Sequence, residues 1–200
     1  PMVYAAAYWA KSKNDEISKM GFNDSKQLSA VQRTHLLGSI DAKDSIGYVI
    51  RTLSPKEISA NMLQTSLLWK SVIRSVPFNL NEMSHKAAMD MIRELLRMNI
   101  RVKEVYIDTV GSAEKYEAKL RAAFNFTTIK FTVSAKGDAL FKCVSAASIV
   151  AKTHRDAIIS DHQWEEPYMR DKSFGNQGSG YPSDPNTKKY LSECMEKVFG

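Results

Sequence analysis

Asp108 and Asp138 are the residues of this chain best suited to chemistry. Asp108 closes the short apolar run Val105-Tyr106-Ile107, and Asp138 stands thirty residues later, just before a long stretch of apolar and small residues at helical spacing. A carboxylate at the end of a buried strand is costly unless it is paired, hydrogen-bonded or bound to a metal. Two such carboxylates at element ends can converge on one hard divalent cation such as Mg²⁺, which favours oxygen ligands. The competing account is simpler: Asp108 caps a turn and Asp138 caps a helix. Spacing alone leaves both open.

A second candidate is the loop Gly178-Ser179-Gly180-Tyr181-Pro182-Ser183-Asp184-Pro185. It sets a tyrosine among turn-forming residues, where the ring can stack on a sugar or base and the hydroxyl can hydrogen-bond. The same tyrosine can equally be a packed anchor for the loop. Lys26, in Asp24-Ser25-Lys26 ahead of a helix, is placed to meet a phosphate or simply to solvate the surface. His35, His85, His154 and His162 show no metal-ligand pairing, and His154 falls on a helix stripe as a core or interface residue. No nucleophile elbow, P-loop or dinucleotide glycine pattern is present.

These residues need a scaffold, and helix and strand patterns alternate along the chain. Met2 to Trp9 is a continuous apolar run of the kind found in a buried central strand. Because the chain begins at Pro1, inside that run, a further segment is expected upstream. Ser29-Ala30-Val31-Gln32 is a capping box opening a short helix that Gly38 is expected to close. Ser45 to Leu53 alternates as a strand, and Ser54-Pro55-Lys56-Glu57 starts a helix that Pro77 ends. The next helix carries Met83, Ala87, Met91, Ile92 and Leu95 on one side and finishes near Asn99. Val102 to Asp108 is a strand, followed by a helix with Ala113, Tyr116, Leu120 and Phe124, and a strand with Ile129, Phe131 and Val133. After Asp138 the expected apolar stripe is Leu140, Cys143, Val144, Ala147, Val150, Ala151, His154 and Ile158. Asp184 and Pro185 open the last helix. The pattern predicts an α/β fold with one mixed sheet in a single domain over residues 1–200.

Bulk properties narrow the class. The composition, 44% hydrophobic and 25% charged, is that of a globular protein. No apolar stretch approaches the roughly 18–20 residues of a membrane span, so no membrane partner is expected. Cys143 and Cys194 stand far apart without zinc spacing and read as reduced thiols, giving an expectation of an intracellular protein. The net charge of +6 is spread along the chain, which suits a polyanionic partner without demanding one.

The strings DSKQLS, NLNEMSH, VYIDTVG, SAKGDALFKCVSAASIVAK and GSGYPSDPNTKKYL, in this order and at these spacings, resemble the type 2 ribonucleases H, the ribonuclease HII family. Within it the chain is similar to the catalytic subunit of the eukaryotic heterotrimeric enzyme. The resemblance covers nearly the whole chain. It implies a ribonuclease H-like fold, with a mixed central β-sheet flanked by helices and a helical C-terminal part. The implied activity is cleavage of the RNA strand of RNA/DNA hybrids and nicking 5′ to single ribonucleotides embedded in DNA, leaving 5′-phosphate and 3′-hydroxyl ends. It implies four carboxylates with Mg²⁺ or Mn²⁺, of which Asp108 and Asp138 would be two. Tyr181 would sense the ribose 2′-hydroxyl and stack on the adjacent deoxyribose, Lys26 would contact a phosphate near the cleaved bond, and Lys152 and Arg155 would reach the nucleic-acid backbone.

The family carries an Asp-Glu pair and a Gly-Arg-Gly turn just before the strand corresponding to Met2–Trp9, and neither is in this sequence. Weak metal binding and little hydrolysis are therefore expected of these 200 residues alone. The resemblance also implies two accessory subunits and a nuclear location. The alternatives are a non-catalytic scaffold protein that binds RNA/DNA hybrids, and another nuclease or polynucleotidyl transferase of the same superfold.

Overall fold

The structure, a computed structural model, describes residues 1–22, 28–67, 79–161, 178 and 183–194, and the side chains of 63–67 and 194 are excepted. Residues 1–160 form one compact unit and residues 161–200 a second.

In the first unit, strand β1 (Met2–Trp9) pairs antiparallel with β2 (Ile46–Leu53), Met2 opposite Leu53 and Trp9 opposite Ile46. Strand β3 (Glu104–Asp108) pairs parallel with β4 (Lys130–Ser134), Asp108 opposite Ser134. The described strands thus show both pairings expected of a mixed sheet, but divided into two ladders. β1 is nowhere fully buried, contrary to the central strand its apolar run predicts. The reason is its neighbours: among the described residues it has a strand on one side only.

Each ladder has its own core. The capping box at Ser29 forms both reciprocal bonds and opens α2 (Ala30–Asp41), after the one-turn α1 (Asn14–Ile17). The helix runs past Gly38, the expected stop, because its interior backbone bonds continue to Ala42, whose N–H donates to the Gly38 carbonyl. α2 packs against α7 (Lys142–Ser160), which lies on β1. Ile17, Phe22, Ile40 and Ile46 meet Ala146, Ile149 and Val150 in this first core.

Ser54 accepts the Glu57 N–H and caps α3 (Pro55–Leu67), while the Glu57 carboxylate pairs with Arg51. The expected end of this helix at Pro77 lies outside the described residues. Asn79 caps α4 (Leu80–Arg97), and Met83, Ala87, Met91, Ile92 and Leu95 are buried, the face its periodicity predicts. Ser112 caps α5 (Ala113–Ala123). Ile92, Tyr116, Leu120, Phe124, Phe131 and Val133 make the second core, over β4.

The stretch after Asp138 departs from the predicted stripe. A four-residue helix α6 (Gly137–Leu140) ends at Phe141, whose extended backbone separates it from α7. That break resets the helical phase, so Leu140 is 62% exposed, and Ser145, Ala146 and Ile149 are buried beside Val150, the expected stripe residue that does face inward. Ser145 and Ala146 are small, which lets α7 lie close on β1. Lys11, two residues beyond β1, forms a 2.8 Å ion pair with Glu104, the first residue of β3. This ion pair ties the end of β1 to the start of β3. Lys11 and a hydrogen bond from Tyr106 hold the Glu104 carboxyl below the usual carboxylate range.

In the second unit, α8 (Pro185–Cys194) is capped by Asp184, whose Oδ1 accepts the Asn186 N–H at 2.9 Å, as its sequence predicts. Among the described residues no helix is long and apolar enough to cross a membrane.

Burial pushes the Tyr116 hydroxyl far above the ordinary phenol range. Below about pH 10 both folded and unfolded chains keep this proton; above it only the unfolded chain releases it, so stability falls as pH rises. Tyr116→Phe, which keeps the ring in place, is expected to flatten this alkaline loss by about 1 kcal/mol per pH unit above 10. Urea midpoints at pH 8 and pH 10.5 measure it; equal slopes for the two proteins would refute the assignment.

Candidate metal and nucleic-acid site

Parallel strands β3 and β4 end side by side, and the chain leaves both at the carboxyl edge where α/β folds characteristically place ligands. Thr109 N–H donates to Ser134 O at 3.0 Å, extending the ladder by one bond. Beyond Ser134 the chain turns through Lys136, whose φ of 59° is left-handed, and returns as α6. That return brings Gly137 against the end of β3, where its N–H donates to Asp108 Oδ1 at 2.9 Å.

Gly137 is required sterically at this junction. A Cβ there would lie 3.0 Å from the Asp108 Cα and 3.1 Å from its backbone nitrogen. The missing side chain lets α6 touch the strand end and sets Asp138, the next residue, beside Asp108. Asp138 is 5% exposed, and Asp108 is exposed. Neither of the simpler roles holds in its original form. Asp108 reaches across to another element, and Asp138 lies inside the first turn of α6, whose cap position is Lys136.

The far side of the junction is pinned by Ser145, 1% exposed, whose Oγ donates to the Asp138 carbonyl at 2.5 Å. The Phe141 ring rests on Tyr106 of β3 with centroids 4.5 Å apart. Sequence patterns did not single out Gly137, Ser145 or Phe141. The lone glycine before Asp138 was the available signal, since a glycine beside a functional carboxylate often marks close backbone approach.

Two carboxylates carried on adjoining elements suit a hard divalent cation in donor chemistry. Among the described residues no group of three or more His, Cys, Asp or Glu side chains gathers to hold a metal.

Lys152 and Arg155 lie on α7, about 15 and 20 Å along the helix from its first residue at 1.5 Å rise per residue. Arg155 pairs with its neighbour Asp156 at 3.0 Å, and Asp156 also accepts from Arg33. Lys26 and Tyr181 lie outside the described residues. Of the tyrosine's loop, Gly178 has φ 68° and packs so tightly that a Cβ would fall 2.5 Å from Thr187 N. His154 Nδ1 donates to Val150 O within its own helix, and the ring meets Tyr48 edge-on, the interface position expected of it.

The family model described as Ribonuclease HII matches residues 1–199. A ribonuclease H2 subunit of Caenorhabditis elegans is 41% identical over the whole of this chain and 64% of its own length. The corresponding ribonuclease H2 subunit of Arabidopsis thaliana is 40% identical over the whole chain and 63% of its own length. The chain thus spans under two thirds of these two curated relatives. Among solved structures, ribonuclease HII of Archaeoglobus fulgidus, in its complex with PCNA, superposes with a TM-score of 0.69 at 26% identity. It covers 96% of this chain and 78% of its own. With the family model matched over residues 1–199, this chain belongs to the ribonuclease HII family.

Proposed function

We propose that the chain carries half of the nuclease centre of a divalent-metal-dependent endoribonuclease. It hydrolyses the RNA strand of RNA/DNA hybrids and nicks 5′ to single ribonucleotides in DNA. The observation that carries this is the junction at which Gly137 N–H holds Asp108 and sets Asp138 beside it.

Asp108 and Asp138 hold the metal, Mg²⁺ or Mn²⁺, through carboxylate oxygens. A divalent ion bound there acidifies water and offsets charge developing on the phosphate. The bond broken is P–O3′: the water oxygen adds to phosphorus, and the 3′ oxygen leaves with a proton. Gly137 N–H fixes one Asp108 oxygen and leaves the other for the ion. Tyr181 reads the 2′-hydroxyl, the one group that separates RNA from DNA at the cleaved step, and stacks on the adjacent deoxyribose. Lys26 meets a phosphate near that step. Lys152 and Arg155, along α7, meet the duplex backbone several nucleotides away.

The remaining two carboxylates come from an acidic pair on a strand seated between β1 and β3. Support for this is physical: each of these strands has an edge without a strand partner among the described residues. Lys11 and Glu104 tie the end of β1 to the start of β3, and α7 packs on both strands. Two accessory subunits and a nuclear setting complete the proposal.

The test is cleavage of a duplex with one ribonucleotide in Mg²⁺, by these 200 residues and by a protein with the acidic-pair segment joined upstream. The joined protein is expected to cut 5′ to the ribonucleotide and to spare all-DNA duplex. Asp108→Asn or Asp138→Asn should lower that rate by more than the roughly 100-fold ceiling typical of groups that only support a ligand. Full activity of the 200 residues alone would overturn the four-carboxylate site. Hybrid binding without cleavage by the joined protein and its partner subunits would favour the scaffold role instead.

Gly137→Ala supplies a finer check. Its methyl group must push α6 off the Asp108 backbone by a few tenths of an ångström. A fall of about 10-fold in kcat is expected, because small displacements of catalytic groups are expensive. Unchanged kcat in a folded variant would show that the junction tolerates that displacement.

A further inference from the structure

Four polar side chains of the NLNEMSH string are engaged one after another. Asn79 accepts the Glu82 N–H as the cap of α4. Glu82 pairs with Lys119 of α5. Ser84 Oγ lies 2.7 Å from the Tyr4 hydroxyl of β1. His85 Nε2 lies 3.0 Å from the carbonyl of Val110, two residues past Asp108.

His85 is 9% exposed and stacks on Tyr116, with centroids 3.8 Å apart and planes 19° from parallel. Its partner at Val110 is a carbonyl, which only accepts, so Nε2 carries the hydrogen. The ring's Nδ1 is buried with no hydrogen-bond partner among the described residues. The side chain therefore directs its single satisfied contact at the turn that carries Asp108. That turn is short and needs holding: Gly111 has φ 80°, and Thr109 Oγ1 donates to Gly111 O at 3.1 Å.

We propose that His85 is a positioning residue for the nuclease centre. By donating to Val110 O from a ring clamped on Tyr116, it fixes the Thr109–Gly111 turn and with it the direction of the Asp108 carboxylate. Gly137 fixes that carboxylate from the α6 side and His85 fixes its backbone from the α4 side. The inference rests on Asp108 being a metal ligand, as proposed above.

The experiment uses the full-length protein with its partner subunits. His85→Phe keeps the stack and removes the donor; His85→Gln keeps a donor and removes the stack. Expected for His85→Phe is a 10- to 100-fold fall in kcat, the range of groups that support a metal ligand. KM should stay within about twofold, and weaker Mn²⁺ binding should appear by calorimetry without substrate. His85→Gln should recover most of the loss. Faster amide hydrogen exchange at residues 109–112 in His85→Phe reports the turn directly, without reference to activity. Should His85→Phe not fold, His85→Asn, too short to reach Val110, replaces it.

Wild-type kcat with unchanged exchange at the turn would overturn the inference, as would equal defects in the Phe and Gln variants. Loss of the proposed function gives a different pattern. Wild-type protein would then fail to cleave, or Asp108→Asn would cleave normally, while the exchange measurement would still decide what His85 holds.

Discussion

The site depends on one hydrogen bond, from Gly137 N–H to Asp108 Oδ1. A carboxylate accepting a backbone N–H makes a charge-assisted contact stronger than a neutral one. Here it joins the end of a strand to the start of a helix and sets two acidic residues side by side. It forms only because Gly137 has no side chain to keep the backbones apart. Around it the support is layered. Ser134 O receives Thr109 N–H, Ser145 Oγ donates to the Asp138 carbonyl, and Phe141 leans on Tyr106. Each of these ties down backbone or a ring close to an aspartate, while a backbone N–H directs the Asp108 carboxylate.

Local patterns in the sequence read well where local physics decides. The Ser29 box, the Asp184 cap and the buried face of α4 all follow from short-range spacing. So does the alternation of Phe131 and Val133 in β4. Asp108 and Asp138 could be singled out because a carboxylate at an element end is an energetic anomaly that spacing exposes. Their adjacency could not be seen from spacing, since it depends on Lys136 turning the chain back through a left-handed residue.

The misses have the same origin. The stripe after Asp138 reads as one helix, and a single extended residue, Phe141, shifts its phase. Nothing in an unbroken apolar and small-residue stretch marks such a break. β1 reads as a central strand by composition, but burial depends on neighbours that composition does not specify. His85 carries no recognisable metal spacing, and its partner is a backbone carbonyl, which has no sequence signature.

The division into two ladders bears on how the molecule opens. No main-chain hydrogen bond joins β1 to β3 among the described residues, so cooperativity between the halves passes through side chains, chiefly where α7 rests on both strands. Proteins of this kind unlock in contiguous units whose opening free energies differ. One unit here is the β1–β2 ladder with the core around Ile149; the other is the β3–β4 ladder with the core around Tyr116. Asp108, Gly137 and Asp138 sit with the second. Ser145 of α7, which holds the Asp138 carbonyl, belongs to the helix of the first core, so opening of the first ladder reaches the aspartate pair through α7.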